Sequence, residues 1–256
     1  MKKAGGVPGK ADKGNQEKFI KTYKRRYKKL SEEEKVYFMD GSHPTFNNHI
    51  GYGRMRKGIG FEIKSQDGWK LINLMGAYNP KDGEVIVQDY DTLTGDAVMN
   101  FLAGLRRRNG EKKLHIICDN ARYQHAKEVK EFAKTHTIHL VYLPGYSPNL
   151  NLIKRYWGFL MKRVLVNHYY ETYERFKEAI LTFSRSKSKR LKNYYKDIYR
   201  ENFISSNRYL PDNTFKYISV ELVYAYSVGK QRFYAQAGVG LLWILIVGGD
   251  YDCSEK

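Results

Sequence analysis

Two aspartates stand where a carboxylate could take part in metal-dependent chemistry. Asp40 ends an apolar segment at 36–40, and Asp119 follows another at 114–118. A carboxylate at the carboxyl end of a strand projects from a rigid support, and oxygen ligands of this kind suit Mg²⁺ or Mn²⁺. An aspartate after an apolar strand is also common as a turn or capping residue. The two positions alone therefore leave a metal-binding role and a structural role open.

The most specific motif of the chain lies at 143–151 and has the sequence Leu-Pro-Gly-Tyr-Ser-Pro-Asn-Leu-Asn. Ser147 and Pro148 have the order expected of a helix cap followed by a first-turn proline. The motif therefore predicts a loop that leads into a long helix. Apolar residues at helical spacing define the core face of that helix: Leu150, Ile153, Trp157, Leu160, Met161 and Val164.

The segments around Asp40 and Asp119, together with the motif at 143–151, resemble the signature of DDE transposases of the mariner-like superfamily, in its bacterial insertion-sequence branch. The resemblance implies an α/β chain with a ribonuclease-H-like fold, a mixed central sheet flanked by helices. It also implies that two aspartates and a third acid hold Mg²⁺ or Mn²⁺. In the family, metal-assisted cleavage at transposon ends frees a 3′ hydroxyl that attacks target DNA.

The third acidic position of the family is occupied by Lys154 in this chain. The residues 120–153 separate it from Asp119, which is the spacing characteristic of this branch. Two unit charges 4 Å apart interact by about 4 kcal/mol at an effective dielectric of 20, and a divalent ion facing an ammonium would meet roughly twice that as repulsion. The predicted site therefore has Asp40 and Asp119 as metal ligands and Lys154 as a substituted acid. We expect weak metal binding and impaired catalysis.

Hydrophobic periodicity and turn residues predict the elements that position this site. Strands are predicted at 36–40, 61–65, 70–78, 84–88, 114–118 and 138–143. Helices are predicted at 16–30, at 126–134, from 147 onward and at 172–200. Thr94 is expected to cap a further helix that Gly110 ends, and Ser31 to cap a helical turn. Strands followed by alternating strands and helices indicate an α/β layered domain.

The charge of the chain predicts a polyanionic partner. It has 45 Lys and Arg against 27 Asp and Glu, a net charge of +18. Such an excess is typical of nucleic-acid-binding proteins, with a generic basic or ribosome-associated protein as the alternative. One basic stretch is either a solvated helix face or a track that contacts phosphates. We favour DNA contact for this stretch, which contains Arg185, Lys187, Lys189, Arg190 and Lys192.

Cysteine usage and hydropathy suit the cytoplasm. Cys118 and Cys253 are far apart and outside the spacing of a zinc site or a disulfide framework. No signal peptide opens the chain, and the apolar run at 239–247 is about half of the ~20 residues that a membrane helix needs. We expect a bacterial cytoplasmic protein, nucleoid-associated when bound to DNA, without membrane contact.

We expect three parts in the chain: a linker and basic helix at 1–30, a ribonuclease-H-like DDE catalytic domain at 31–205, and an atypical tail at 206–256. Residues 1–15 resemble the family segment that follows an N-terminal DNA-reading region, so the chain is expected to be truncated. Residues 211–256 hold four Lys or Arg and five Asp or Glu, which separates them from the basic remainder. The expected partner is double-stranded DNA, both transposon ends and target, and a homodimer is considered as well.

Three functions remain as hypotheses. The leading one is a DNA transposase catalytic domain, impaired at Lys154. The second is a non-enzymatic DNA-binding relic or a regulator of an intact transposase. The third is an unrelated ribonuclease-H-like nuclease. Metal-dependent nicking of DNA distinguishes the first hypothesis from the second.

Overall fold

This computed structural model describes residues 11–47, 49–51, 62–64 and 69–185, together with the backbone of three strands between 224 and 247. The chain divides into two compact units, of which the larger is Ala4–Tyr209. The candidate site belongs entirely to the larger unit.

A five-stranded sheet forms the centre of the larger unit. Its strands in chain order are β1 (Glu34–Ser42), β2 (Asn73–Asn79), β3 (Glu84–Tyr90), β4 (Lys113–Cys118) and β5 (Ile138–Tyr142). The order across the sheet is β3-β2-β1-β4-β5. β1 pairs antiparallel with β2 and parallel with β4, so the sheet is mixed as expected. Because β1 and β4 are parallel neighbours, their carboxyl ends meet at the same edge of the sheet.

Helices cover both faces of this sheet. They are α1 (Lys13–Arg26), α2 (Gly95–Asn109), α3 (Lys127–Thr135), α4 (Ile153–Leu160) and α5 (Tyr173–Arg185). Successive side chains of a strand point to opposite faces. Phe38 of β1 therefore packs in the cluster that includes residues of α1, α4 and α5, whereas Tyr37 and Met39 pack with α2 and α3. The expected arrangement of a mixed sheet flanked by helices is confirmed.

Several element boundaries follow local signals in the sequence. The Thr94 side chain accepts a hydrogen bond from the Ala97 backbone N–H at 3.3 Å, and Gly110 ends α2 at a φ of 57°. α3 lies within one residue of its prediction. The helix predicted at 172–200 begins at Tyr173 and is described to Arg185. The remainder of that prediction, 186–200, lies outside the described residues.

Three predictions about secondary structure differ in part from the structure. Ser31 does not begin a helical turn; its carbonyl accepts a hydrogen bond from the Glu34 N–H in a short turn, and Glu34 enters β1. The strand predicted at 61–65 is not seen at its described residues, 62–64, which pair with no other described strand; residues 61 and 65 lie outside the described residues. The strand predicted at 70–78 begins only at Asn73.

The long helix predicted from Ser147 onward is broken into three pieces. A 3-10 helix at Pro148–Leu150 precedes α4, and a π-helix at Met161–Leu165 follows it. The Ser147 side chain does not cap the 3-10 helix; its hydroxyl donates to the Gly145 carbonyl at 3.1 Å. The proline is at the predicted first position, but tertiary contacts determine the path of the chain around it.

The smaller unit contains an antiparallel three-stranded sheet. Its strands are β6 (Tyr224–Val228), β7 (Gln231–Gly238) and β8 (Leu241–Val247), in the order β6-β7-β8. The apolar run at 239–247 therefore contributes a strand. No helix in the described part of the chain has the length and hydropathy that a membrane span requires.

A glycine in β2 sets the distance between α4 and the sheet. Gly76 lies directly opposite Asp40 in the antiparallel β1–β2 pair. A Cβ atom at Gly76 would lie 2.6 Å from Cζ2 of Trp157 and 3.0 Å from Cδ1 of Ile153, both in α4. The absence of a side chain at this position lets α4 pack close to the sheet. Lys154 follows Ile153 in the same helix and is thereby held at the level of Asp40.

We predict that Gly76→Ala lowers the free energy of unfolding by about 1–3 kcal/mol, because the added methyl group overpacks a rigid ring and a buried helix. Urea denaturation measures this loss. Gly158→Ala in α4 is the matched control, since a Cβ atom there meets nothing within 4 Å. The control is expected to be neutral or stabilising by up to about 1 kcal/mol. Equal stability of the two variants would contradict the close approach of α4.

Candidate active site

The two aspartates have different supports and different exposure. Asp40 lies inside β1, which continues to Ser42, and only 4% of the residue is exposed. Asp119 follows the last residue of β4, and its carboxylate accepts a hydrogen bond from the Ala121 N–H at 3.2 Å. The parallel pairing of β1 and β4 brings both carboxylates to one edge of the sheet.

Side-chain amides fasten the loop at 143–151 to the strands that carry the aspartates. Asn120 donates to the Leu143 carbonyl at 2.7 Å. Asn151 is buried and donates to the Met39 carbonyl at 3.2 Å, one residue before Asp40. α4 begins two residues after Asn151, so these bonds position the first turn of that helix beside the two carboxylates.

An ammonium group lies between the two carboxylates. Nζ of Lys154 is 2.9 Å from Oδ2 and 3.1 Å from Oδ1 of Asp40, and it is 3.8 Å from Oδ2 of Asp119. The Asp40 side chain is 5% exposed, whereas the Lys154 and Asp119 side chains are each 35% exposed. The structure thus brings together all three residues of the predicted site. The metal-binding roles assigned to Asp40 and Asp119 stay a prediction.

Burial and charge act in opposite directions on Asp40. Burial raises the pKa of its carboxyl from 3.8 to about 6, even though the charge and hydrogen bonds of Lys154 lower it. The charge of Asp119 adds a further increase. A pKa of about 6 leaves most of the Asp40 carboxyl groups ionised at pH 7. The lysine therefore faces a charged partner at neutral pH.

The residues at this edge of the sheet do not fit a divalent cation. The Lys154 ammonium lies within hydrogen-bonding distance of both Asp40 oxygens, where a metal ion would need them as ligands. In the described ranges, no group of three or more His, Cys, Asp or Glu residues could hold a metal ion. The arrangement is an internal ion cluster of one cation and two carboxylates.

The structure describes only one residue of the predicted DNA-contacting stretch. Arg185 is the last residue of α5 and is exposed. Lys187, Lys189, Arg190 and Lys192 lie outside the described residues. Their contact with DNA stays a prediction.

Two buried amides of the site were missed by the sequence analysis. Gln16 of α1 is 1% exposed and donates to the Ser147 hydroxyl at 3.0 Å. Asn151 is equally buried and binds the strand that carries Asp40. The sequence contains a signal for the burial of each residue. Gln16 lies seven residues before Tyr23 on the apolar face of α1, and Asn151 interrupts an apolar run between Leu150 and Leu152.

A family match covers most of the larger unit. Residues 35–177 match the model of the DDE superfamily endonuclease family, a range that includes Asp40, Asp119 and Lys154. The chain belongs to this family. A search of curated proteins finds no match.

Solved structures of Mos1 transposase have the same fold. The paired-end complex of Mos1 transposase with the left transposon end gives a TM-score of 0.58 at 17% identity, over 79% of this chain and 64% of that chain. The catalytic domain of Mos1 mariner transposase gives 0.54 at 16% identity, over 80% of this chain and 100% of that domain. The expected ribonuclease-H-like fold is thereby confirmed. The chain spans less than two thirds of the Mos1 chain in the first of these structures.

We predict that Asp40 makes stability depend on pH. A carboxyl whose pKa is raised on folding favours the folded state below pH 4, and this contribution is lost as pH rises through about 6. The change amounts to about 2 kcal/mol between pH 4 and pH 7. The free energy of unfolding of the wild type, relative to Asp40→Asn, should fall by this amount over that range. Urea denaturation at several pH values measures it.

The control for this prediction is Lys154→Met, which removes the cation that lowers the pKa of Asp40. In that background the loss of stability should extend to higher pH. A difference between wild type and Asp40→Asn that stays constant from pH 4 to pH 7 would contradict the prediction.

Proposed function

We propose that this member of the DDE endonuclease family is a DNA transposase catalytic domain that binds duplex DNA and whose strand cleavage is impaired by Lys154. The observation that carries the proposal is the contact of Lys154 Nζ with both oxygens of Asp40, at 2.9 and 3.1 Å. At this position the ammonium supplies the positive charge that the family obtains from metal ions. It also engages the carboxylate oxygens that a metal would need.

The proposal extends to partners and organisation. The Mos1 structures include a pre-cleavage transpososome, a strand transfer complex and complexes with Mn and Mg. By analogy we propose transposon-end and target DNA as partners of this chain, with a homodimer as its assembly. Mg²⁺ or Mn²⁺ would be the ions of its intact relatives.

We also propose membership of the bacterial insertion-sequence branch, a cytoplasmic and nucleoid-associated location, and the division at 1–30, 31–205 and 206–256.

A non-enzymatic role is the second candidate, and the same ion cluster favours it. A domain that keeps its fold and basic charge without holding metal could occupy DNA in competition with an intact transposase. In this domain Lys154 offsets part of the charge of Asp40 and Asp119. Cleavage activity separates the two candidates. Residual nicking by the wild type indicates an impaired enzyme, and its absence indicates a binding protein.

We predict that Lys154→Glu creates a metal-dependent site. Three neighbouring carboxylates repel one another, so stability without metal near pH 7 should fall. Mn²⁺ should then restore it, because the ion binds the folded state only. Thermal unfolding with and without millimolar Mn²⁺ measures the effect. A supercoiled plasmid reports nicking, which we expect for the glutamate variant in Mn²⁺ and expect to be absent or far weaker for the wild type.

Two controls define this experiment. Lys154→Gln removes the ammonium without supplying a carboxylate and should neither nick DNA nor gain stability from Mn²⁺. Lys154→Glu combined with Asp119→Asn removes one of the two aspartates predicted as ligands. This double variant should lose both the nicking and the stabilisation by Mn²⁺. An equal rise of melting temperature in Mn²⁺ for the wild type and for Lys154→Glu would show that Lys154 does not impair metal binding.

We predict that the wild type binds duplex DNA without sequence preference and with a steep dependence on salt. The net charge of +18 motivates this, since each phosphate that a protein neutralises adds about 0.9 to the slope of log affinity against log salt. Fluorescence anisotropy with two unrelated duplexes of about 20 base pairs, between about 50 and 200 mM NaCl, measures it. A flat salt response, or strong preference for one duplex, would refute non-specific binding through phosphates.

A further inference from the structure

The segment from Lys13 to Lys29 carries the densest positive charge of the described chain. α1 and the 3-10 turn that follows it at Tyr27–Lys29 hold eight lysines and arginines and a single carboxylate, Glu17. By comparison, α3 alternates its charges, with three lysines and two glutamates. The charges of a helix such as α3 nearly balance within the helix itself, whereas those of α1 leave a large positive excess.

The positive charges of α1 form a stripe opposite the buried side of the helix. Gln16, Tyr23 and Tyr27 define the buried side. At about 100° per residue of α1, the side chains of Lys18, Lys21 and Arg25 lie within about 60° of one another and point away from that side. Lys29 continues the row in the 3-10 turn that follows α1. All four are exposed. We name these four residues the α1 stripe.

The residues of the α1 stripe form no ion pair with another described residue. The one ion pair found in the described part of α1 joins Lys13 to Glu17 at 4.0 Å. From Lys18 to Lys29 the stripe extends for about 16 Å, which is close to the rise of about five base pairs of duplex DNA. Its charges are therefore available to a rigid polyanion of matching length.

Buried contacts fix the α1 stripe relative to the candidate active site. Tyr23 is fully buried and its ring lies 5.5 Å from that of Phe38 of β1. At the start of α1, Gln16 donates to the Ser147 hydroxyl at 3.0 Å. Ser147 belongs to the loop that leads to Lys154. The α1 stripe thus begins near the loop at 143–151 and extends away from it. The buried contacts of Gln16 and Tyr23 fix the orientation of α1 about its own axis.

Resting on the proposed binding of duplex DNA, we propose that the α1 stripe is a phosphate-contacting surface that guides one strand of the duplex toward the edge of the sheet where Asp40 and Asp119 lie. Lysine and arginine contacts with phosphates set the position of a protein on DNA and carry no sequence information. The stripe therefore determines where the duplex lies on the domain without selecting its sequence. This surface is separate from the stretch at 185–192.

The experiment compares two triple variants of the full chain that remove the same charge. The test variant is Lys18→Gln, Lys21→Gln and Arg25→Gln on α1. The matched control is Lys127→Gln, Lys130→Gln and Lys134→Gln on α3, which packs against the opposite face of the sheet. A third variant, Lys18→Arg, Lys21→Arg and Arg25→Lys, keeps the charge of the stripe. Affinity for a labelled duplex of about 20 base pairs is measured at several salt concentrations, and circular dichroism verifies folding.

We expect the slope of log affinity against log salt to decrease by about three in the α1 variant, because each of its three substitutions leaves about one phosphate without a neutralising cation. The α3 control and the charge-keeping variant should retain the wild-type slope to within about one. Equal decreases in the α1 and α3 variants would overturn the proposal, since net charge alone would then explain binding. Absence of DNA binding by the wild type would instead refute the proposed function itself.

Discussion

The contact between the Lys154 ammonium and the Asp40 carboxylate organises the charges at the carboxyl edge of the sheet. Asp40 is almost wholly buried, so its charged form loses hydration on folding, and a cation at 2.9 Å offsets part of that loss. The cation reaches this position because α4 packs closely over Gly76 and because Asn151 ties the start of α4 to β1. The packing of α4 and the attraction of opposite charges therefore both hold the Lys154 ammonium beside Asp40.

This arrangement differs in kind from a site built to bind metal. Neighbouring carboxylates repel each other, and a site that contains them alone is stabilised when a cation arrives. Here the cation is covalently part of the chain and needs no binding step. The domain keeps the fold of its family, and Lys154 places a fixed ammonium group between Asp40 and Asp119.

Much of the site could be predicted because its determinants are local. The apolar segments before Asp40 and Asp119 specify strands, and the motif at 143–151 together with its spacing specifies the position of Lys154. Parallel pairing of β1 and β4 then brings the two aspartates to one edge. Local signals also predict the strand at 84–88, from its alternating polar and apolar residues, and the helix cap at Thr94, from its residue type.

The parts that escaped prediction depend on contacts between distant residues. Ser147 is a residue type that often caps helices. Its hydroxyl instead donates to the Gly145 carbonyl and accepts from the Gln16 amide, and a short 3-10 helix precedes α4. The period-two pattern at 61–65 predicts a strand, but its described residues, 62–64, pair with no other described strand. Local patterns cannot show which partner a polar side chain will meet after folding.

The bond from Gln16 to Ser147 spans 131 residues of sequence and has a consequence for biosynthesis. During translation α1 leaves the ribosome long before the loop that receives its first turn. At about 5–20 residues per second, this interval lasts about 7–26 s. Throughout it the amide of Gln16 lacks its Ser147 partner, and the amino end of α1 cannot complete its docking. The amino end of α1, one of the earliest synthesised segments of the larger unit, therefore docks only after the loop at 143–151 has been made.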